Sequence, residues 1–182
     1  MKPSRFILFS IVIMGVIPIY SVGKDLSLVE VVRMNDDTNK VESLIRIATD
    51  YIDAGSDSSK ISAESALKLS LKLNYVKGIG RAHSVLGAYY YSIGNFPESK
   101  THLNIALPLS IKINDWSFVA NNYRRLGNWH LEQQLYNNAM GFYLRSDSVY
   151  EKHNSPERYY TCYQMASAYE SNGEYLLAKN ML

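Results

Sequence analysis

Between residues 78 and 114, apolar and small side chains recur at Ile79, Ala82, His83, Leu86, Gly87 and Tyr90. Steps of three and four residues place them on one stripe of a helix. Gly94 and Asn95 interrupt the series, and a second one follows at Phe96, Ser99, Leu103, Ala106, Leu107 and Ser110. The pattern predicts a helix, a tight turn and a second helix, with Gly87 and Ala106 where the two could approach closely. The unit then repeats. ALKLSLKLN at 66–74 returns as ALPLSIKIN at 106–114, and Leu86-Gly87 returns as Leu126-Gly127. Gly94-Asn95-Phe96 returns as Gly173-Glu174-Tyr175, 79 residues on or about two periods. A core that recurs in this way predicts an all-α stack of equivalent hairpins, an α-solenoid, and not a closed bundle.

The recurring residues resemble the tetratricopeptide repeat family, whose pattern is Leu-Gly-x-x-Tyr on the first helix, Gly and an aromatic residue at the turn, and Ala on the second. One repeat carries it as Leu86, Gly87, Tyr90, Gly94, Phe96, Leu103 and Ala106, with Ser99 where Ala is usual. The next has Leu126, Gly127, Tyr136, Ala139 and Tyr143, but His130 and Gln134 replace the expected Tyr and Gly. A later one has Ala166, Tyr169, Gly173, Tyr175 and Ala178, while the first keeps only Ala48, Tyr51 and Gly55. The resemblance implies stacked antiparallel helix-turn-helix repeats, here at about 39–76, 77–115, 116–155 and 156–182, the last incomplete; their spacing of about 39–40 exceeds the roughly 34 usual in the family and implies longer helices.

Turn chemistry adds detail. Asn95, Pro97 and Glu98 read as an N-cap, a first-turn proline and a capping-box acid, and Ser155-Pro156-Glu157 gives the same signal. Pro108 falls inside a helical pattern and predicts a kink. Residues 24–38 predict a short amphipathic capping helix followed by the capping sequence Asn35-Asp36-Asp37. The last helix is expected from near Tyr175, without the polar cap that ends a solenoid. This suggests a fragment, a frayed end or a paired one.

Residues 1–23 stand apart. Lys2 and Arg5 precede the apolar run at 6–17, then Pro18 and the small residues Ser21 and Gly23 follow, which is the pattern of a secretory signal peptide. The alternative is an uncleaved anchor, although 6–20 is shorter than the roughly 20 residues a spanning helix needs. The expected location is therefore exported, periplasmic or associated with the cell envelope. Membrane contact is expected only through that segment or a downstream part. Removal of the segment turns 19 basic and 17 acidic residues into 17 of each, so no nucleic-acid partner is expected through this region. Cys162 is the only cysteine, which excludes an internal disulfide, and its position near Met165 and Ala166 predicts a buried, inert thiol.

Catalytic patterns fail one by one. His83, His102, His130 and His153 have no metal-ligand spacing, and His83 and His130 fall on apolar stripes as hydrogen-bonded core residues. Gly78-Ile79-Gly80 begins like a dinucleotide loop but lacks the third glycine and the strand. Asn35-Asp36-Asp37 lacks the glycine and distal Glu of a calcium loop. No enzyme activity, metal or cofactor is expected. The family resemblance implies instead a protein or peptide partner held in a concave groove lined by first helices. Transferred position by position, the groove carries Arg81, Tyr91, Asn121, Arg124, Asn128, Tyr160 and Tyr163, with Glu42, Ile45, Thr49, Ile52, Ser84, Ala88, Leu131, Ser167 and Glu170 in matching places. Asn can bond a peptide backbone, Arg can grip a carboxylate, and Tyr gives contact area at low entropic cost. Behind a signal peptide, such repeats resemble the exported sensor regions of membrane-anchored bacterial signalling regulators. The alternative is a free-standing envelope scaffold or assembly protein without signalling output.

Overall fold

Six corners of the chain share one backbone geometry, and they set the architecture. Asn74, Gly94, Asn114, Gln134, Asn154 and Gly173 all have positive φ, between 49° and 80°. The first five are spaced 20 residues apart and the sixth follows 19 residues later. Each ends a helix in a Schellman motif, in which the residue after the corner donates back to the carbonyl five residues earlier. Tyr75, Asn95, Asp115, Leu135, Ser155 and Glu174 make these bonds at 2.8–3.0 Å. Glycine and asparagine tolerate the left-handed conformation, which explains five of the six corner residues.

The computed structural model describes residues 28–52 and 56–181. Among them the helices are α1 (Leu28–Val32), α2 (Thr38–Asp50), α3 (Asp57–Lys72), α4 (Val76–Ser92), α5 (Phe96–Lys112), α6 (Trp116–Glu132), α7 (Tyr136–Lys152), α8 (Arg158–Ser171) and α9 (Tyr175–Met181). No strand occurs among the described residues. Each of α4 to α7 has 17 residues, and three residues separate each from the helix before it. Helices pair as α2/α3, α4/α5, α6/α7 and α8/α9, and α2, α4, α6 and α8 also touch one another along one face. This is an α-solenoid of stacked tetratricopeptide-like hairpins.

Close approach within a hairpin depends on the repeated glycines. A Cβ on Gly87 would lie 2.8 Å from Leu103, and one on Gly127 would enter the Tyr143 ring. Leu86, Ala106, Leu126, Ala139, Ala166 and Ala178 are buried, and Tyr90 and Tyr169 are half-buried. Ser99 replaces alanine because its hydroxyl donates to the Gly87 carbonyl at 2.7 Å, and Ser59 makes the matching bond to Ala48 one repeat earlier. These two buried hydroxyls thus tie second helices to first helices with their polar atoms matched.

Several local expectations need correction. Helix α5 continues through Pro108, so the proline does not end it. Pro108 lies near the C-terminal end and faces solvent, as does Asn104, whose carbonyl loses its donor, so water can replace the missing bond. Asn95 sits at the N-cap of α5 but makes no side-chain cap bond, and its N–H, which a capping box would give to Glu98, is already the Schellman donor. Helix α8 starts at Arg158 with Glu157 at its N-cap, while Ser155 accepts from the Glu157 N–H in a preceding turn. Asp37 is the side-chain cap of α2, accepting from the N–H groups of Asn39 and Lys40. Cys162 is half-buried, not buried. The signal segment 1–23, residues 24–27 of the capping segment, Gly55 and Leu182 lie outside the described residues.

Candidate functional site

The face along which α2, α4, α6 and α8 meet carries most of the polar cross-links between repeats. Arg81 of α4 is at its centre. Its guanidinium donates to Glu42 of α2 at 2.6 Å and to Asp115, the N-cap of α6, at 2.7 Å, and stacks over the Phe118 ring at 4.7 Å. Burial alone would lower the Arg81 pKa, but Asp115 and Glu42 together outweigh it and raise it. Tyr75 donates to the other oxygen of Glu42 at 2.6 Å, and burial with that carboxylate pushes its phenol up to about 12. Arg81 therefore serves as an inter-repeat clamp.

The neighbouring candidates divide into committed and available groups. Tyr91 donates to Glu132 of α6 at 2.9 Å. Asn121 is engaged at both ends, donating to Ser117 and accepting from Arg124. Asn128 accepts from the Tyr143 hydroxyl at 2.9 Å, which leaves its amide N–H groups for a ligand. Arg124 donates to Asn121 at 3.1 Å and lies 5.8 Å from the Tyr160 ring. Its Nε is buried without a hydrogen-bond partner, and no carboxylate pairs with it among the described residues. Tyr160 and Tyr163 are both more than half exposed.

Not every transferred position reaches the surface. Ile45, Ile52, Ser84 and Ala88 are buried. Ser84 is spent on Asn122 of the next first helix, donating to it at 2.6 Å. Leu131 and Ser167 are half-buried, and Thr49 and Glu170 are exposed. The one-per-turn transfer missed the adjacent strip on α2. There Arg46 and Asp50 join Glu42, Arg81 and Phe118 around a cleft of about 450 Å³. Arg46 follows directly after the transferred Ile45, so the signal was a charged residue one step around the helix. Arg46 is exposed and has no carboxylate partner among the described residues.

The histidines lie away from this face or in its walls. His83 and His102 approach Nδ1 to Nδ1 at 2.9 Å, and His102 stacks on Tyr90. Burial first, then the charge of His102, lowers the His83 pKa to about 4. His130 stacks on Phe142 with its Nδ1 unbonded, so it is a packed core ring without the expected hydrogen bond. Burial, with Lys100 nearby, lowers its pKa as well. Burial, followed by Asp147, raises the Cys162 pKa, which keeps the thiol protonated. Among the described residues no group of three or more His, Cys, Asp or Glu is placed to hold a metal ion, and no helix is long and apolar enough to cross a membrane.

Neither a protein-family model nor a curated protein sequence matches the chain. Solved structures do. One is a Rap protein complexed with Competence and Sporulation Factor, with 19% identity and a TM-score of 0.75 over 81% of this chain and 42% of that one. Another is aspartyl phosphate phosphatase F from Bacillus subtilis, with 15% identity and a TM-score of 0.72 over 84% of this chain and 41% of that one. The apo form of RapI gives 15% identity and 0.69 over 84% and 57%. The chain thus spans well under two thirds of the length of each. At these identities the likeness is one of fold, and that fold is a helical-repeat solenoid of the tetratricopeptide type.

Proposed function

We propose that the chain is a binding module which holds an extended peptide or protein segment along the face formed by α2, α4, α6 and α8. The observation that carries this reading is a pair of guanidinium groups without carboxylate partners among the described residues. Arg46 stands at the 450 Å³ cleft and Arg124 lies in the next section of the same face. A buried guanidinium atom without an acceptor is costly unless a ligand supplies one. Asn128 offers side-chain amide donors for a peptide backbone beside it, and Tyr160 and Tyr163 offer aromatic surface. The Rap protein of like fold that was crystallised with Competence and Sporulation Factor supports a bound factor as a use of this architecture.

The apolar signal-like segment at 1–23 favours an exported setting for that binding, and a sensor region of a larger signalling regulator is the form we favour. The test uses immobilised extended peptides ending in a free carboxylate, titrated with the purified chain. Charge-assisted hydrogen bonds contribute about 1.5–3 kcal/mol each, so Arg124→Ala should weaken binding at least about tenfold, as should Arg46→Ala if the segment reaches the cleft. Combining Arg124→Ala with Tyr163→Ala should abolish it. Undiminished binding by the double variant would refute the assignment of this face.

A further inference from the structure

We propose that the chain has a second site, between α1, α2 and α3, which binds a free single-chain carboxylate amphiphile. The pocket has a volume of about 590 Å³, within the range of small-molecule sites. Its apolar part is formed by Val32, Leu44, Ile61 and Leu69. On α2, Leu44 and Lys40 point roughly opposite to Glu42 and Arg46 at 100° per residue, so the pocket is separate from the inner face. Among the described residues it lies where α1, five residues of which are described, and α3 pack on α2. Val32 at 63% exposed and Ile61 at 54% exposed belong to its lining.

The repeats supply an internal control. At the places of Ile61 and Lys68, the later second helices have Thr101 and Pro108, then Gly141 and Ser148. The pairing of Ile61 with Lys68 is therefore particular to the first hairpin, whereas Lys72 recurs as Lys112 and Lys152. The cations also have distinct states. Lys40 is fully committed, donating to the Val32 and Met34 carbonyls at 3.1 and 3.2 Å and to Asp36 at 3.0 Å. It fastens α1 to α2. Lys72 pairs with Asp36 at 2.9 Å, and these two lysines hold the Asp36 carboxyl below its usual range. Lys68 has no carboxylate partner among the described residues. Three lysines against one aspartate leave the rim with a net charge of +2. A carboxylate head meets Lys68 and Lys72 while its alkyl chain lies over Ile61, Leu44 and Leu69.

The test is isothermal titration of the purified full chain with laurate below its micelle concentration. Dodecyltrimethylammonium, acetate and anionic phospholipid vesicles serve as comparisons. Saturable one-site binding of laurate is expected, with acetate silent and the cationic amphiphile weaker. Ile61→Asp and Lys68→Glu should each weaken laurate about tenfold or more, through lost apolar burial and reversed charge respectively. Both side chains are exposed, so the thermal melting temperature should hold, and Val32→Asp provides a third variant on another helix. Arg124→Ala should leave laurate binding unchanged, which separates this site from the inner face. The proposal is overturned if the cationic amphiphile binds equally well, if the variants bind laurate normally, or if only vesicles bind.

Discussion

At Asn114 the backbone takes φ 55°, and the Asp115 N–H reaches back to Ser110 at 2.9 Å. The left-handed conformation costs a residue with an ordinary Cβ about 1–2 kcal/mol, which asparagine partly avoids. Asn114→Ala should destabilise the chain by about 1 kcal/mol in urea unfolding, and Asn114→Gly should be neutral or slightly stabilising. Gly127 is constrained differently, since an added Cβ would enter the Tyr143 ring. Gly127→Ala should lower the unfolding free energy by about 1–3 kcal/mol through overpacking, read in the same experiment. The glycine positions were legible from recurrence alone. Asn74, Asn114 and Asn154 were not recognised as corners, because asparagine is compatible with several conformations and only the 20-residue spacing marks its role. Gln134 is marked only by its register, standing where the pattern places the turn glycine, and its residue type gives no reason for a left-handed turn.

Helices were readable where periodicity and spacing agree, and misread where one residue was given too much weight. Pro108 stands inside α5 near its exposed end, where water can replace the one bond that a proline removes. Asn95 and Ser155 suggested side-chain caps, yet Asn95 makes no such bond, and Ser155 accepts from the Glu157 N–H in a turn ahead of α8, whose N-cap is Glu157. The α4/α5 hairpin also contains a chemical weakness, the contact between His83 and His102. With its pKa lowered to about 4, His83 binds fewer protons in the folded chain than in the unfolded one between pH 6.5 and about 4. Stability therefore rises with pH across that window and is lost as pH falls through it. Chemical unfolding at pH 7 and pH 4.5 should show a loss on the order of 2 kcal/mol. His83→Asn should reduce that slope, leaving the part due to His102 and His130, whose pKa values burial also lowers, and an unchanged slope would mean that His83 is not a source of it.

Across the whole molecule, one side chain joins three successive first helices. Arg81→Met should destabilise by about 1–3 kcal/mol, because Asp115, only 9% exposed at its side chain, loses its cation. Arg81→Lys should recover only part, since one ammonium cannot match the forked contacts. In a stack where each hairpin touches mainly its neighbours, protection from amide exchange should be highest in α4 to α7 and lowest in α1. Uniform protection along the chain would contradict the solenoid picture. The inner face was legible as a strip of positions carried over from a family pattern. The strip could not reveal which residues would be consumed by other repeats, because those contacts join residues about 40 apart. Arg81 and Ser84 were spent in this way, while Arg46 and Asp50 were left open.

The cross-links from Glu42 through Arg81 to Asp115, and from Tyr91 to Glu132, run from one first helix to the next along the face where these helices meet. They act as tension members. Pulling successive first helices apart stretches hydrogen bonds, which weaken steeply with distance. The stack should therefore be stiff against extension along that face, and a segment seated there meets a surface whose shape is already set.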